Sequence, residues 1–137
     1  MKISLYATLA AFVLATPALA GGDAAKGEKE FSKCKACHSI IAPDGTEIVK
    51  GAKVGPNLYG VVGRTAGTYP DFAYKDSIVA LGQTGFAWSE DEIAEYVKDP
   101  GKFLKAKLDD KKAKTGMAFK LAKGGEDVAA YLASVAQ

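Results

Sequence analysis

The chain has 137 residues, 18 Lys and Arg against 16 Asp and Glu, a single His and a formal net charge of +2. That length fits one domain and leaves no room for a second sizeable core. So small a net charge, on a chain that begins like an exported one, argues against nucleic-acid binding.

Lys2 gives a positive start, Leu5 to Leu14 form an apolar run, and Ala18-Leu19-Ala20 supplies the small-x-small pattern of a signal peptidase site. Residues 1–20 therefore read as a cleaved signal peptide, give or take one residue, and 21–137 as the mature domain. The first helix opens on Asp23, a good N-cap, and runs through Ala24, Ala25 and Phe31 towards Cys34. After it come Pro43, Gly45, Gly51, Gly55, Pro56, Gly60, Gly63, Gly67 and Pro70, a punctuation that no alternating strand is expected to survive. A connection that long needs something other than backbone ladders to organise it, and a large apolar disc at the centre would do so. The second helix covers Lys75 to Leu81 and is stopped by Gly82. The third has the capping box Ser89-Glu90-Asp91-Glu92, carries Ile93, Tyr96 and Val97 at helical spacing, and ends ahead of Pro100. A short extension through Phe103, Leu104 and Leu108 follows. The last helix begins after Gly124-Gly125 and puts Val128, Tyr131, Leu132 and Val135 on one stripe.

Charge is unevenly spread. From Lys98 to Lys123 there are nine Lys and three Asp, flanked by Glu90, Asp91, Glu92 and Glu95 before and by Glu126 and Asp127 after. Composition alone allows this run to be a solvated face or a docking surface.

Cys34-Lys35-Ala36-Cys37-His38 is the C-x-x-C-H signature of c-type haem attachment. On one helical turn Cys34 and Cys37 share a face, so each thiol can reach one vinyl group of a single porphyrin, and His38 comes beneath the iron. A zinc site would lack a second ligand pair. A thioredoxin-like pair would need an alternating strand and helix pattern around it, and a plain disulfide leaves His38 unexplained. His38 is the only histidine, and Met117 is the only methionine apart from Met1. By elimination Met117 is the sixth ligand, although a lone Met is more often core filler. If it were filler, the iron would be five-coordinate and the protein a haem enzyme or gas sensor. Histidine with thioether raises the potential and closes the iron to substrate, which suits a carrier and not an enzyme.

These residues, with Gly55-Pro56-Asn57-Leu58-Tyr59-Gly60, resemble the class I cytochrome c family, in its bacterial cytochrome c2 branch, over essentially the whole mature chain. The resemblance implies an all-α cytochrome c fold, helices and long loops wrapped around one covalently attached haem c. It implies that Gly27 and Phe31 pack against Val128 and Tyr131 of the last helix, and that the Pro56 carbonyl accepts from His38 Nδ1–H. By the same resemblance Arg64, Tyr74 and Trp88 hydrogen-bond a haem propionate, Tyr96 and Thr115 lie near the Met sulfur and the other propionate, and Phe119 stands beside the exposed haem edge. Compared with mitochondrial members, extra residues fall between His38 and Pro56, before Trp88, and between Tyr96 and Met117, and Gly116 replaces a Lys. Such insertions suit the long cytochrome c2 subgroup and blur equivalences from Phe103 to Lys114.

The resemblance further implies a monomeric periplasmic carrier that takes electrons from a quinol–cytochrome c oxidoreductase and delivers them to a photosynthetic reaction centre or a terminal oxidase. Lys33, Lys35, Lys112, Lys114 and Lys120 are expected to ring the haem edge and dock those partners, with Glu90 to Glu95 and Glu126-Asp127 lying away from it.

Overall fold

In a computed structural model, which describes residues 21–137, helix α1 (Ala24–Glu30) and the last helix lie against each other and bracket the chain. The signal peptide read at 1–20 lies outside the described residues. Asp23 caps α1, its carboxylate accepting from the Ala25 and Lys26 amides, and a short 3-10 turn (Phe31–Lys33) carries the chain on to Cys34. Then come β1 (Ile40–Ile41), β2 (Glu47–Val49), α2 (Asp76–Gln83), α3 (Glu90–Lys98), α4 (Pro100–Lys107) and α5 (Gly125–Ser134). Among the described residues no helix is long and apolar enough to cross a membrane.

The α1–α5 crossing follows from one missing side chain. A Cβ on Gly27 would run into the Asp127 carbonyl and lie 2.8 Å from Tyr131 Cβ, so only glycine lets the backbones meet. Phe31 then packs at a tilt against the Tyr131 ring, centroids 5.7 Å apart, and both belong to the buried core with Val128 and Leu132.

Three expectations need correction. First, β1 and β2 do form a small antiparallel hairpin, pairing Ile40 with Val49 and Ile41 with Glu47 across an irregular register. The punctuation that seemed to forbid strands builds its turn: Gly45 sits at φ +88°, its amide donates to the Ala42 carbonyl at 2.9 Å, and Asp44 accepts from Thr46 N at 2.9 Å. Strands of two and three residues are too short to show alternation. Second, Gly82 does not stop α2. It lies inside the helix, where a Cβ would strike the Ala66 carbonyl, and Gly85 at φ +86° lies just beyond the Thr84 C-cap. Third, the extension after Pro100 is a helix in its own right. Asp99 is extended (φ −157°), accepts from Lys102 N at 3.0 Å, and leaves Pro100 at the first position of α4, where its missing N–H costs nothing.

Between the helices an aromatic cluster fills the core. Trp88 stacks on Phe103 at 5.8 Å and meets Phe86 and Tyr96 edge-on at 5.1 and 5.0 Å. Lys107 closes this cluster, its ammonium 5.3 Å from the Phe103 ring and 2.8 Å from Glu92. The capping box is thus half made: Ser89 Oγ accepts from Glu92 N at 3.1 Å, while the Glu92 carboxylate goes to Lys107.

Candidate functional site

The 3-10 turn leads straight into the Cys34–His38 segment, and the chain stays coiled through it. Cys37 N and His38 N both donate to the Cys34 carbonyl, at 3.1 and 2.8 Å, as on a helical turn. Both thiols are free and half-buried. Burial, followed by the neighbouring Cys37 and the Glu30 carboxylate, pushes the Cys34 thiol up to about 11, with Lys33 opposing, so it stands as a neutral SH.

His38 is held from three directions. Its Nδ1 lies 2.8 Å from the Pro56 carbonyl. A carbonyl only accepts, so Nδ1 carries the proton and Nε2 keeps its lone pair. Burial lowers the pKa of His38, with the Pro56 bond opposing, which favours this neutral form. Gly55 lies flat against the ring: a Cβ there would sit 2.6 Å from Nδ1 and 2.8 Å from Nε2. Gly51 is pressed against the His38 backbone, where a Cβ would lie 2.7 Å from its carbonyl carbon.

The other sequence-predicted residues form a continuous arc. Arg64 Nη1 donates to the Asn57 carbonyl at 3.0 Å, Nη2 donates to the Tyr59 carbonyl, and the guanidinium lies 4.9 Å over Tyr69. Tyr74 Oη accepts from Tyr69 N at 3.2 Å. Trp88 N donates to the Arg64 carbonyl at 2.9 Å. Tyr96, edge-on to Trp88, reaches Thr115 Oγ1 at 3.4 Å. Thr115 Oγ1 in turn donates to the Met117 carbonyl at 3.2 Å and accepts from Met117 N at 2.9 Å. The single hydroxyl hydrogen of Thr115 is thereby spent, which makes Tyr96 the donor in their contact. Burial raises the pKa of Tyr96, against the pull of Thr115, and keeps that donor protonated. Met117 is half-buried beside a cleft of about 440 Å³ that also touches Asp99, Pro100, Thr115 and Lys120. Phe119 is 42 % exposed.

The lysines divide. Lys33 pairs with Glu30 at 2.6 Å and Lys120 with Asp99 at 2.7 Å, while Lys35, Lys112 and Lys114 make no ion pair among the described residues. Two of the acids that flank the basic run reach back to it. Glu92 reaches Lys107 at 2.8 Å and Glu126 reaches Lys98 at 3.1 Å, because α3, α4 and α5 pack side by side. Sequence reasoning passed over Asn57 and Asp99. The one visible signal was position: an Asn directly after the proline of Gly-Pro-Asn, and an Asp directly before Pro100.

The donor set fits a haem c: two free thiols on one coiled turn, an imidazole whose free Nε2 faces away from its anchor, a thioether on a pinned loop, and a glycine cradle against the ring. Together, the helical fold and this site define a c-type haem protein built to carry electrons. Comparison with known proteins supports this. No protein-family model matches the chain. Cytochrome c2 of Rhodobacter capsulatus is 85 % identical over 136 residues, 98 % of each chain. Cytochrome c-550 of Paracoccus denitrificans is 57 % identical over 136 residues, 97 % of this chain and 88 % of that one. The crystal structure of the Rhodobacter capsulatus protein superposes with a TM-score of 0.84 at 87 % identity, covering 85 % of this chain and all of its own. That of cytochrome c2 from Paracoccus denitrificans gives 0.82 at 53 % identity, covering 84 % and 97 %. The chain belongs to the class I cytochromes c, in the bacterial cytochrome c2 family. It carries covalent haem c and acts as an electron carrier of respiratory or photosynthetic chains, not as an enzyme.

Proposed function

We propose that the chain is a monomeric periplasmic shuttle that takes one electron at a time from a membrane quinol–cytochrome c oxidoreductase and delivers it to a photosynthetic reaction centre or a terminal cytochrome oxidase. Cys34 and Cys37 form the two thioethers, one haem per chain, and His38 and Met117 are the axial ligands. The observation that carries this reading is the His38 Nδ1–Pro56 bond of 2.8 Å, which leaves Nε2 as a fixed, unprotonated donor.

When bound, the haem supplies a one-electron Fe(II)/Fe(III) couple. The chain supplies the rest. Gly55 and Pro56 fix the plane and tautomer of His38. Thr115 and Tyr96 pin the Met117 backbone, so both ligand segments keep their places in either oxidation state. Arg64 spends only part of its five N–H groups on backbone carbonyls. The remainder, with Tyr74 and Trp88, answer a propionate. Lys35, Lys112 and Lys114 offer unpaired positive charge to an acidic partner, whereas Lys33 and Lys120 must share theirs with Glu30 and Asp99. Such charges speed the encounter more than they tighten the complex.

Mass spectrometry of the exported protein tests attachment, and the near-infrared sulfur-to-iron band of the ferric protein tests Met117. One added haem mass and that band are expected; a chain without the mass, or a ferric spectrum without the band, refutes the ligand set. Electron donation to isolated reaction centres, measured against isolated oxidase, then identifies the acceptor.

A further inference from the structure

We propose that Asn57 is a positioning residue for the iron: its side-chain amide locks the Pro56 carbonyl onto His38 Nδ1 and thereby sets how strongly the imidazole donates. This rests on the reading of His38 as an axial ligand.

Segments 37–41 and 55–58 run past each other as an irregular ladder. Gly55 N donates to the Cys37 carbonyl at 2.7 Å and Leu58 N to the Ser39 carbonyl at 3.1 Å. Pro56 sits between these rungs with no N–H to add one of its own. The next side chain stands in for the missing rung. Asn57 Oδ1 accepts from Ile41 N at 2.9 Å and Tyr59 N at 3.0 Å. Its Nδ2 donates to the Ile41 carbonyl at 2.8 Å and to Tyr69 Oη at 3.3 Å. All four hydrogen-bonding positions of the amide are in use. Ile41 presents one donor and one acceptor to it, so the amide cannot turn over without losing both. The Asn57 carbonyl is held separately by Arg64 Nη1 at 3.0 Å. The peptide joining Pro56 to Asn57, whose oxygen faces His38, is therefore clamped at its far end.

The consequence is electronic as well as structural. A short, fixed bond from Nδ1–H to a carbonyl makes the imidazole a stronger donor, which favours ferric iron. Loosening the clamp lengthens that bond, weakens the donor and raises the potential. A purely structural Asn57 would lower the melting temperature and leave the potential where it was.

The test uses the full haem-loaded protein and two readouts, the reduction potential and the solvent-exchange rate of the His38 Nδ1 proton by NMR. Asn57→Ala is expected to shift the potential upward and speed that exchange several-fold, with the sulfur-to-iron band kept. If Asn57→Ala does not assemble, Asn57→Ser carries the test. Serine can still accept from Tyr59 N but is too short to span to Ile41, and the same directions are expected with smaller size. Tyr69→Phe, which removes only the 3.3 Å contact, is expected to leave both readouts near those of the parent. Unchanged potential and exchange in the Asn57 variants overturn the proposal, as does an equal shift from Tyr69→Phe. Loss of the haem mass or sulfur band in the parent protein would instead overturn the ligand reading, so the two failures are told apart.

Discussion

Replacing Gly27 with alanine sets a methyl group into the α1–α5 crossing, where the Asp127 carbonyl already stands and Tyr131 Cβ is 2.8 Å away. Carbon atoms prefer about 3.5–4.0 Å, so the helices must part by roughly 1 Å or bend. Overpacking costs about 1–3 kcal/mol, and the obstacle here is backbone, which cannot swing aside, so the upper end applies. Alanine regains about 1 kcal/mol of helix propensity over glycine. The net loss is about 2 kcal/mol. For a domain of roughly 120 residues the unfolding entropy is about 0.25 kcal/mol/K, so the melting temperature is expected to fall about 8 °C. Thermal and urea unfolding followed by far-ultraviolet circular dichroism reads this directly, with Lys29→Ala on the exposed side of the same helix changing stability by less than about 0.5 kcal/mol. A Gly27→Ala protein as stable as its parent would refute the close crossing as the reason for glycine.

Met117→His is expected to keep a six-coordinate low-spin iron while lowering the potential, since a nitrogen donor favours ferric iron; potentiometry that finds no change removes Met117 from the ligand set. Charge reversal at Lys35 should slow association with a membrane partner several-fold and flatten its salt dependence, whereas reversal at Lys26 should do little; stopped-flow rates that fall equally, or ignore salt, reduce the basic run to a solvated surface. The Lys120 ammonium, then the Lys102 amide, hold the Asp99 carboxyl below its ordinary range. A depressed folded-state pKa means a contribution fully present above about pH 3.9 and lost as pH falls through the folded value. Asp99→Asn should therefore flatten the decline of melting temperature in that acid window, and an unaltered profile would show the pair to be idle.

How much of this was legible depended on how local each signal was. Cys34 to His38 read directly because the attachment chemistry fits within one turn, and Asp23 and Ser89 announced helix starts because capping is settled by a few neighbouring atoms. Gly82 misled because a glycine at a helix end and a glycine under a neighbouring carbonyl look the same in sequence; only the position of Ala66 tells them apart. The hairpin was missed because its strands, two and three residues long, hardly outlast a single period of alternation. The pairing of Glu92 with Lys107 and of Glu126 with Lys98 could not be read, since each joins elements whose relative placement is decided by packing. Arg64, Tyr74 and Trp88 were visible only through family resemblance. Their backbone and ring contacts converge from three separate loops.

The bracket of α1 and α5 bears on how the molecule comes to be made. Asp23 N reaches Asp127 Oδ1 at 2.7 Å across 104 positions of sequence. Closing a loop of that length costs about 4 kcal/mol of chain entropy before any contact offsets it. A chain emerging from its N-terminus thus presents Cys34, Cys37 and His38 early, at the end of a helix that still lacks its partner. The surface that α5 covers, Gly27 and Phe31, lies within one or two turns of those thiols. Synthesis order and topology together leave the inner face of α1 uncovered until the final ten-residue helix packs on it.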